Sequence, residues 1–157
     1  MGTLEKNTNI PISACCKLMS KPFQKVPLKV ILDSNALFVP FQFRIDVFSE
    51  LEGLLNRRFE LVLLSVVKHE LEVLAEQGSP QMRKNACFAL QLAERLRIIE
   101  VAAEASAVVD DVIVEVARKW NSPVFTNDKQ LRRRLRDISV PVIYVRQKSR
   151  LEIDGLV

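Results

Sequence analysis

The chain has 157 residues, a length for one compact domain, with 48% hydrophobic and 27% charged residues, a globular balance able to bury an ordinary core. Its 23 Lys+Arg against 19 Asp+Glu give a net charge of +4, which permits a nucleic-acid partner without establishing one. Four glycines, none at the first strand-to-helix turn, exclude a dinucleotide fingerprint and a P-loop, and the single histidine, His69, excludes a histidine-rich zinc site and argues against a serine–histidine hydrolase.

Residues 1–26 carry Thr, Asn, Ser and Lys with Pro11 and Pro22 and no sustained periodicity. They read as an N-terminal extension, and residues 27–157 as the domain proper. Cys15 and Cys16 fall in that extension, and Cys87 reads as helix packing. Three cysteines with no Cys-x-x-Cys spacing argue against a disulfide scaffold and a zinc ribbon, and a reducing cytoplasm is the simplest setting. No apolar run approaches the roughly 18 residues of a membrane helix, and no apolar stretch follows Glu5 and Lys6 as in a signal peptide. The expectation is a soluble cytoplasmic protein with no membrane partner.

From Leu28 the pattern alternates. Leu28–Leu32 is an apolar run of strand length, and Ile45 to Leu55 carries apolar residues at helical spacing. Phe59–Leu64 is a second strand, and Val66 to Glu76 a helix closed by Gly78 as a C′ residue. Ser79-Pro80 supplies an N-cap and an N1 proline for a helix with Met82, Ala86, Ala89, Ala93 and Leu96 on one stripe. Arg97 to Val101, Pro123 to Thr126 and Val140 to Val145 are further strands, separated by helices over Ser106 to Trp120 and Asp128 to Asp137. The alternation predicts an α/β domain, a three-layer α/β/α sandwich around a parallel five-stranded sheet.

In such a sheet, ligands bind beyond the carboxyl ends of the strands. Asp33 follows the first strand, Glu70 lies in the opening turn of the helix after the second, Asp110 and Asp111 begin the helix after the third, and Asp128 lies just past the fourth. Taken singly, each acid suits a helix cap or first turn. Taken together, they repel: at ~4 Å each like-charge pair costs roughly 1 kcal/mol in water and several times that at a protein surface. Either some are protonated or a hard divalent cation lies among them. Carboxylate oxygens without histidine or thiolate suit Mg²⁺ or Mn²⁺, and such a site performs phosphoryl chemistry.

Lys129, Arg132, Arg133, Arg134 and Arg136 form a basic helix whose core face is Leu131 and Leu135. A run of this kind is ordinarily a solvated face. Here it starts directly after Asp128, which sets Lys129, Arg132 and Arg133 at the mouth of the acidic cleft as candidates for gripping a phosphodiester. His69, beside Glu70, reads as a partly exposed surface residue.

The residues from about Lys29 to Tyr144 resemble a PIN domain, the metal-dependent nuclease fold of toxin ribonucleases and rRNA-processing endonucleases. Asp33-Ser34-Asn35-Ala36-Leu37 looks like the first motif, Ser65 followed by Glu70 the second, Asp110 with Ile113 and Ala117 the third, and Thr126-Asn127-Asp128 the fourth. The stretch from Thr126 to Arg136 is most similar to the rRNA-processing branch and its archaeal relatives. The resemblance implies Asp33, Glu70, Asp110 and Asp128 as the catalytic acids. Asp33, Asp110, Asp111 and Asp128 are then the candidate metal ligands, with Asn35 and Thr126 orienting carboxylates. Asp110 is preferred over Asp111 because the spacing to Ile113 and Ala117 fits it, and Asp111 stands as a second candidate ligand.

The leading expectation is a Mg²⁺- or Mn²⁺-dependent endoribonuclease with an RNA substrate. An antitoxin or ribosome-assembly partner and a homodimer are compatible with the resemblance. One alternative is another Mg²⁺-dependent phosphoryl-transfer enzyme. A haloacid-dehalogenase-type phosphatase wants a second acid where Asn35 stands, and a response-regulator receiver wants a lysine where Arg146 stands. The other alternative is a non-cleaving module that binds RNA or protein.

Overall fold

A computed structural model describes residues 26–104 and 106–157, so the expected extension, with Cys15 and Cys16, lies outside the described residues apart from Val26. Five strands run parallel: β1 (Leu28–Leu32), β2 (Phe59–Leu64), β3 (Arg97–Ile99), β4 (Val124–Phe125) and β5 (Val142–Arg146). A sixth, β6 (Arg150–Asp154), pairs antiparallel with β5, and the sheet order is β3-β2-β1-β4-β5-β6. A 3₁₀ turn, Ser34–Phe38, leads into six helices: α1 (Val39–Phe43), α2 (Val47–Leu55), α3 (Ser65–Gln77), α4 (Pro80–Ala93), α5 (Val109–Trp120) and α6 (Lys129–Asp137).

The central strands are buried along their carboxyl halves, with Val30, Ile31, Val62, Leu63, Val124 and Phe125 fully so. Such apolar runs are what a parallel sheet covered on both faces demands. Each helix turns its apolar stripe inward: Val67 and Leu71 of α3, Ala86, Ala89 and Ala93 of α4, Ile113 and Ala117 of α5, and Leu131 and Leu135 of α6. Small alanines on α4 let it lie close to α3.

Four expectations are corrected. The sheet has six strands rather than five. The β5–β6 connection reverses through two left-handed residues, Gln147 (φ 54°) and Lys148 (φ 58°), closed by the Ser149 amide on the Arg146 carbonyl at 3.1 Å. That geometry matches hairpin twist but is ordinarily written with Asn and Gly, so no turn signal marks it. Gly78 ends α3 in an extended conformation, φ −73°, rather than a left-handed one. What requires glycine is space, since a Cβ would stand 2.7 Å from the Leu74 carbonyl oxygen. Cys87 is exposed, because it lies one residue, about 100°, off the alanine stripe. Glu70 sits in the second turn of α3, since that helix begins at Ser65.

Candidate active site

The order β3-β2-β1-β4-β5 makes the β1–β4 boundary the place where chain order reverses, the position at which an open α/β sheet offers a crevice. Leu32 is in register with Phe125, so the residues that follow, Asp33 and Thr126, face each other across that boundary. Both are buried. The Thr126 hydroxyl donates to Asp33 Oδ2 at 2.8 Å, and the Asn35 amide donates to the same oxygen at 3.1 Å. The Ser34 amide donates to Asp33 Oδ1 at 2.7 Å. The carboxylate is thus held by three donors from two strand ends.

Those donors do not offset its burial. Desolvation, opposed by the Thr126 and Ser34 hydrogen bonds and reinforced by repulsion from Asp110 and Glu70, pushes Asp33 from its ordinary 3.8 up to about 6. Asp110, half-buried in the first turn of α5, is raised too, first by burial and then by the charge of Asp128, with Arg134 partly counteracting. Asp33, Glu70, Asp110 and Asp128 therefore share one electrostatic neighbourhood.

Asp128 is the N-cap of α6, its Oδ1 accepting from the Gln130 and Leu131 amides at 2.8 and 3.2 Å. Oδ1 is thereby committed to the helix amides. The Asp128 amide itself donates to Thr126 Oγ1 at 3.1 Å, so one threonine links Asp33 to Asp128. Asp111, beside Asp110 in the first turn of α5, is exposed, and its Oδ1 accepts from Arg134 Nη2 at 2.7 Å. Ser65 Oγ accepts from the Val101 amide at 3.0 Å, pinning the exit of β3 to the start of α3.

Among the described residues no three His, Cys, Asp or Glu side chains form a ready-made metal cage. An all-oxygen set of one or two firm carboxylates is nevertheless what Mg²⁺ accepts, since it keeps waters and takes phosphate oxygens from its substrate. A carboxylate raised first by burial and then by neighbouring acids is a donor whose charge a divalent ion would relieve. The residues fit such an ion.

The basic helix flanks this edge. Lys129 and Arg133 are exposed, and with Arg132, Arg136 and the acid Asp137 they line a groove of about 450 Å³. Arg132 lies over the ring of Tyr144, its Cζ 3.9 Å from the ring centroid. Sequence reasoning gave no role to Asn127. Its amide donates to Asn35 Oδ1 and its own Oδ1 accepts from the Val145 amide, both at 2.9 Å, so it ties the first motif to the end of β5. Its position between a strand end and an N-cap was the available signal.

Fold and site define a mostly parallel α/β domain with an acidic carboxyl edge beside a basic helix. The family model described as "PIN like domain" matches residues 30–148, and the chain belongs to that family. It is 34% identical over 130 residues to ribonuclease VapC4 of Methanocaldococcus jannaschii, covering 82% of this chain and 98% of that protein. It is 29% identical over 126 residues to ribonuclease VapC9 of Archaeoglobus fulgidus, covering 80% and 89%. The solved PIN domain endonuclease Utp24 superposes with a TM-score of 0.68 at 27% identity, covering 83% of this chain and 94% of that one.

Proposed function

We propose that this protein is a divalent-metal-dependent endoribonuclease. The observation that carries the reading is the buried Asp33 carboxylate, gripped across the β1–β4 boundary by Thr126 and pushed up to about 6 by burial and by its acidic neighbours. Kinship with two proteins named ribonuclease and one named endonuclease supports the substrate and the reaction. An antitoxin-like partner and a cytoplasmic setting belong to the reading through the VapC relatives.

Asp33, Asp110 and Asp128 would hold the Mg²⁺ or Mn²⁺, with Glu70 completing the acidic field. When bound, the ion supplies activation of water and shields charge on the scissile phosphate. The protein's own part is positioning. Thr126 and Asn35 fix the Asp33 oxygens, and the α6 amides fix Asp128. Arg134 draws Asp111 aside, so Asp110 is the acid of that pair turned to the site. Lys129, Arg132 and Arg133 bring the phosphate chain across the acids.

The test is cleavage of single-stranded RNA and of DNA in Mn²⁺, with a chelated control. RNA should be cut only with metal. Asp33→Asn and Asp110→Asn should each lose roughly 10²–10³-fold or more, and Asp111→Asn far less. Metal-independent cutting, or equal loss from Asp110→Asn and Asp111→Asn, would overturn this assignment. A second reading, a non-cleaving RNA-binding module, predicts RNA retention without cutting in the same assay.

A further inference from the structure

The tip of the β5–β6 hairpin has no part in the site described so far, yet topology brings it there. β5 runs parallel to β4, so its carboxyl end emerges on the same edge as Asp33 and Asp128. A chain of hydrogen bonds fixes that placement: Asn35 on Asp33 at 3.1 Å, the Asn127 amide on Asn35 at 2.9 Å, and the Val145 amide on Asn127 at 2.9 Å. Arg146 is the next residue.

The tip is Arg146-Gln147-Lys148-Ser149-Arg150, three cations without an acid, all five exposed. One carboxylate organises it. Glu152 accepts from Arg150 at 3.0 and 3.2 Å, from Arg146 at 3.4 Å and from the Tyr144 hydroxyl at 3.3 Å. Two guanidiniums sharing one carboxylate leave surplus positive charge in a preset arrangement, and Lys148 adds to it. Tyr144 in turn lies under Arg132 of α6. A chain of contacts therefore links α6 to the hairpin tip, from Arg132 to Tyr144 and through Glu152 to Arg146 and Arg150.

The geometry points to the β5–β6 hairpin tip as a second RNA-backbone contact surface, with Arg146, Lys148 and Arg150 holding phosphates on the β5 side of the acidic edge while α6 holds them on its own side. This rests on the RNA substrate proposed above. A phosphate chain laid over the acids needs cations on both flanks, because a grip from one side alone leaves its path free to swing away from Asp33.

The experiment measures binding of the full chain to a fluorescent mixed-sequence single-stranded RNA against salt, in Ca²⁺ to limit cleavage. One variant combines Arg146→Gln with Lys148→Gly, a pair that keeps the turn because glycine suits the left-handed φ of 58° at position 148. A second combines Arg132→Ala with Arg133→Ala. Each pair should lower the slope of log affinity against log salt by roughly 0.7 for every phosphate no longer neutralised, about 1.4 per pair. In parallel, acetylation of Lys148 by an N-hydroxysuccinimide ester, read by mass spectrometry, should fall several-fold when RNA is bound. A hairpin variant with the parent's slope and an unprotected Lys148, beside an α6 variant that loses slope, overturns the hairpin surface alone. A parent that binds no RNA overturns the proposed function and this surface with it.

Discussion

The two edges of the sheet are charged differently, bases alone at the helix ends of one and acids flanked by bases at the other, and only one of them strains the fold. At the amino edge, α2 and α5 end in left-handed asparagines, Asn56 and Asn121, with Arg118 and Lys119 in the last turn of α5 and Arg57 and Arg58 following α2. At the carboxyl edge, Asp128 caps α6 and Asp110 and Asp111 open α5. Helix dipoles account for both patterns, since bases suit helix C-termini and acids suit N-termini. They do not account for burial. Lys29 and the exposed Arg57 border an amino-edge cavity of about 840 Å³, whereas Asp33 is 4% exposed and pushed up to about 6. The larger opening lies at the amino edge, whereas the charge held against its own solvation lies at the carboxyl edge.

The sharpest test of that contrast is the pH dependence of stability without metal. Asp33 ionises at about 6 in the folded chain against 3.8 unfolded, so between those values the folded state holds the extra proton. Stability from this group is therefore present at low pH and lost as pH rises toward 6, a swing on the order of 3 kcal/mol. In chelator, thermal melts of the parent should show lower stability at pH 7.5 than at pH 5. Asp33→Asn should lack most of that slope, and its net gain at pH 7.5 should be smaller than the full swing, because an Asn amide would face the Asn35 donor. Millimolar Mn²⁺ should stabilise the parent at pH 7.5 by mass action and the variant less. A parent with no slope in this window would place the strain elsewhere.

Next in size is Thr126→Val, which keeps the shape of a fully buried side chain and removes its hydroxyl. Asp33 loses a donor and the Asp128 amide loses its acceptor, both at a protected site. Stability should fall by about 1–3 kcal/mol. Metal affinity and cleavage should fall roughly 10–100-fold, as when a partner orienting a ligand is removed. Isothermal titration with Mn²⁺ separates the two effects. Thr126→Ser, which restores the hydroxyl, should recover affinity more than stability, and failure of that rescue would reduce Thr126 to packing.

Much of this edge is legible in the sequence because strand ends are. Unbroken apolar runs such as Val30-Ile31-Leu32 and Val62-Leu63-Leu64 mark buried parallel strands, and the residues after them are then on the ligand-binding side. What escapes depends on pairings between distant segments. The Asn127–Val145 bond spans 18 residues and the Arg134–Asp111 pair 23, and neither side chain advertises its partner. Local structure escapes where it is short: the 3₁₀ turn and α1 have five residues each, too few for helical periodicity, and Pro40 interrupts the pattern. The hairpin is missed because Gln147 and Lys148 adopt left-handed conformations usually left to Gly or Asn, and its last strand, β6, has an edge amide, Leu151, covered by Glu50 of α2 at 3.0 Å.

The smallest expected effect comes from the opposite edge and serves as the control. Lys29 lies over Trp120 with Nζ 4.7 Å from the ring centroid, half-buried where β1 begins. Lys29→Met keeps an unbranched apolar stem on the indole and removes the charge. The cation–π contribution, about 0.5–1 kcal/mol at a surface site, should vanish and be partly replaced by a sulfur–aromatic interaction. A shift of the thermal midpoint by no more than a few degrees is therefore expected. Cleavage rate and the salt slope of RNA binding should match the parent within about twofold, since this charge stands at the far end of β1 from Asp33 and is screened over a Debye length of about 8–10 Å. A slope reduced by about 0.7 would mean that Lys29 neutralises one phosphate. RNA would then wrap from one edge of the sheet to the other, and the division between a strained acidic edge and a merely dipole-matched basic one would no longer describe how the molecule binds.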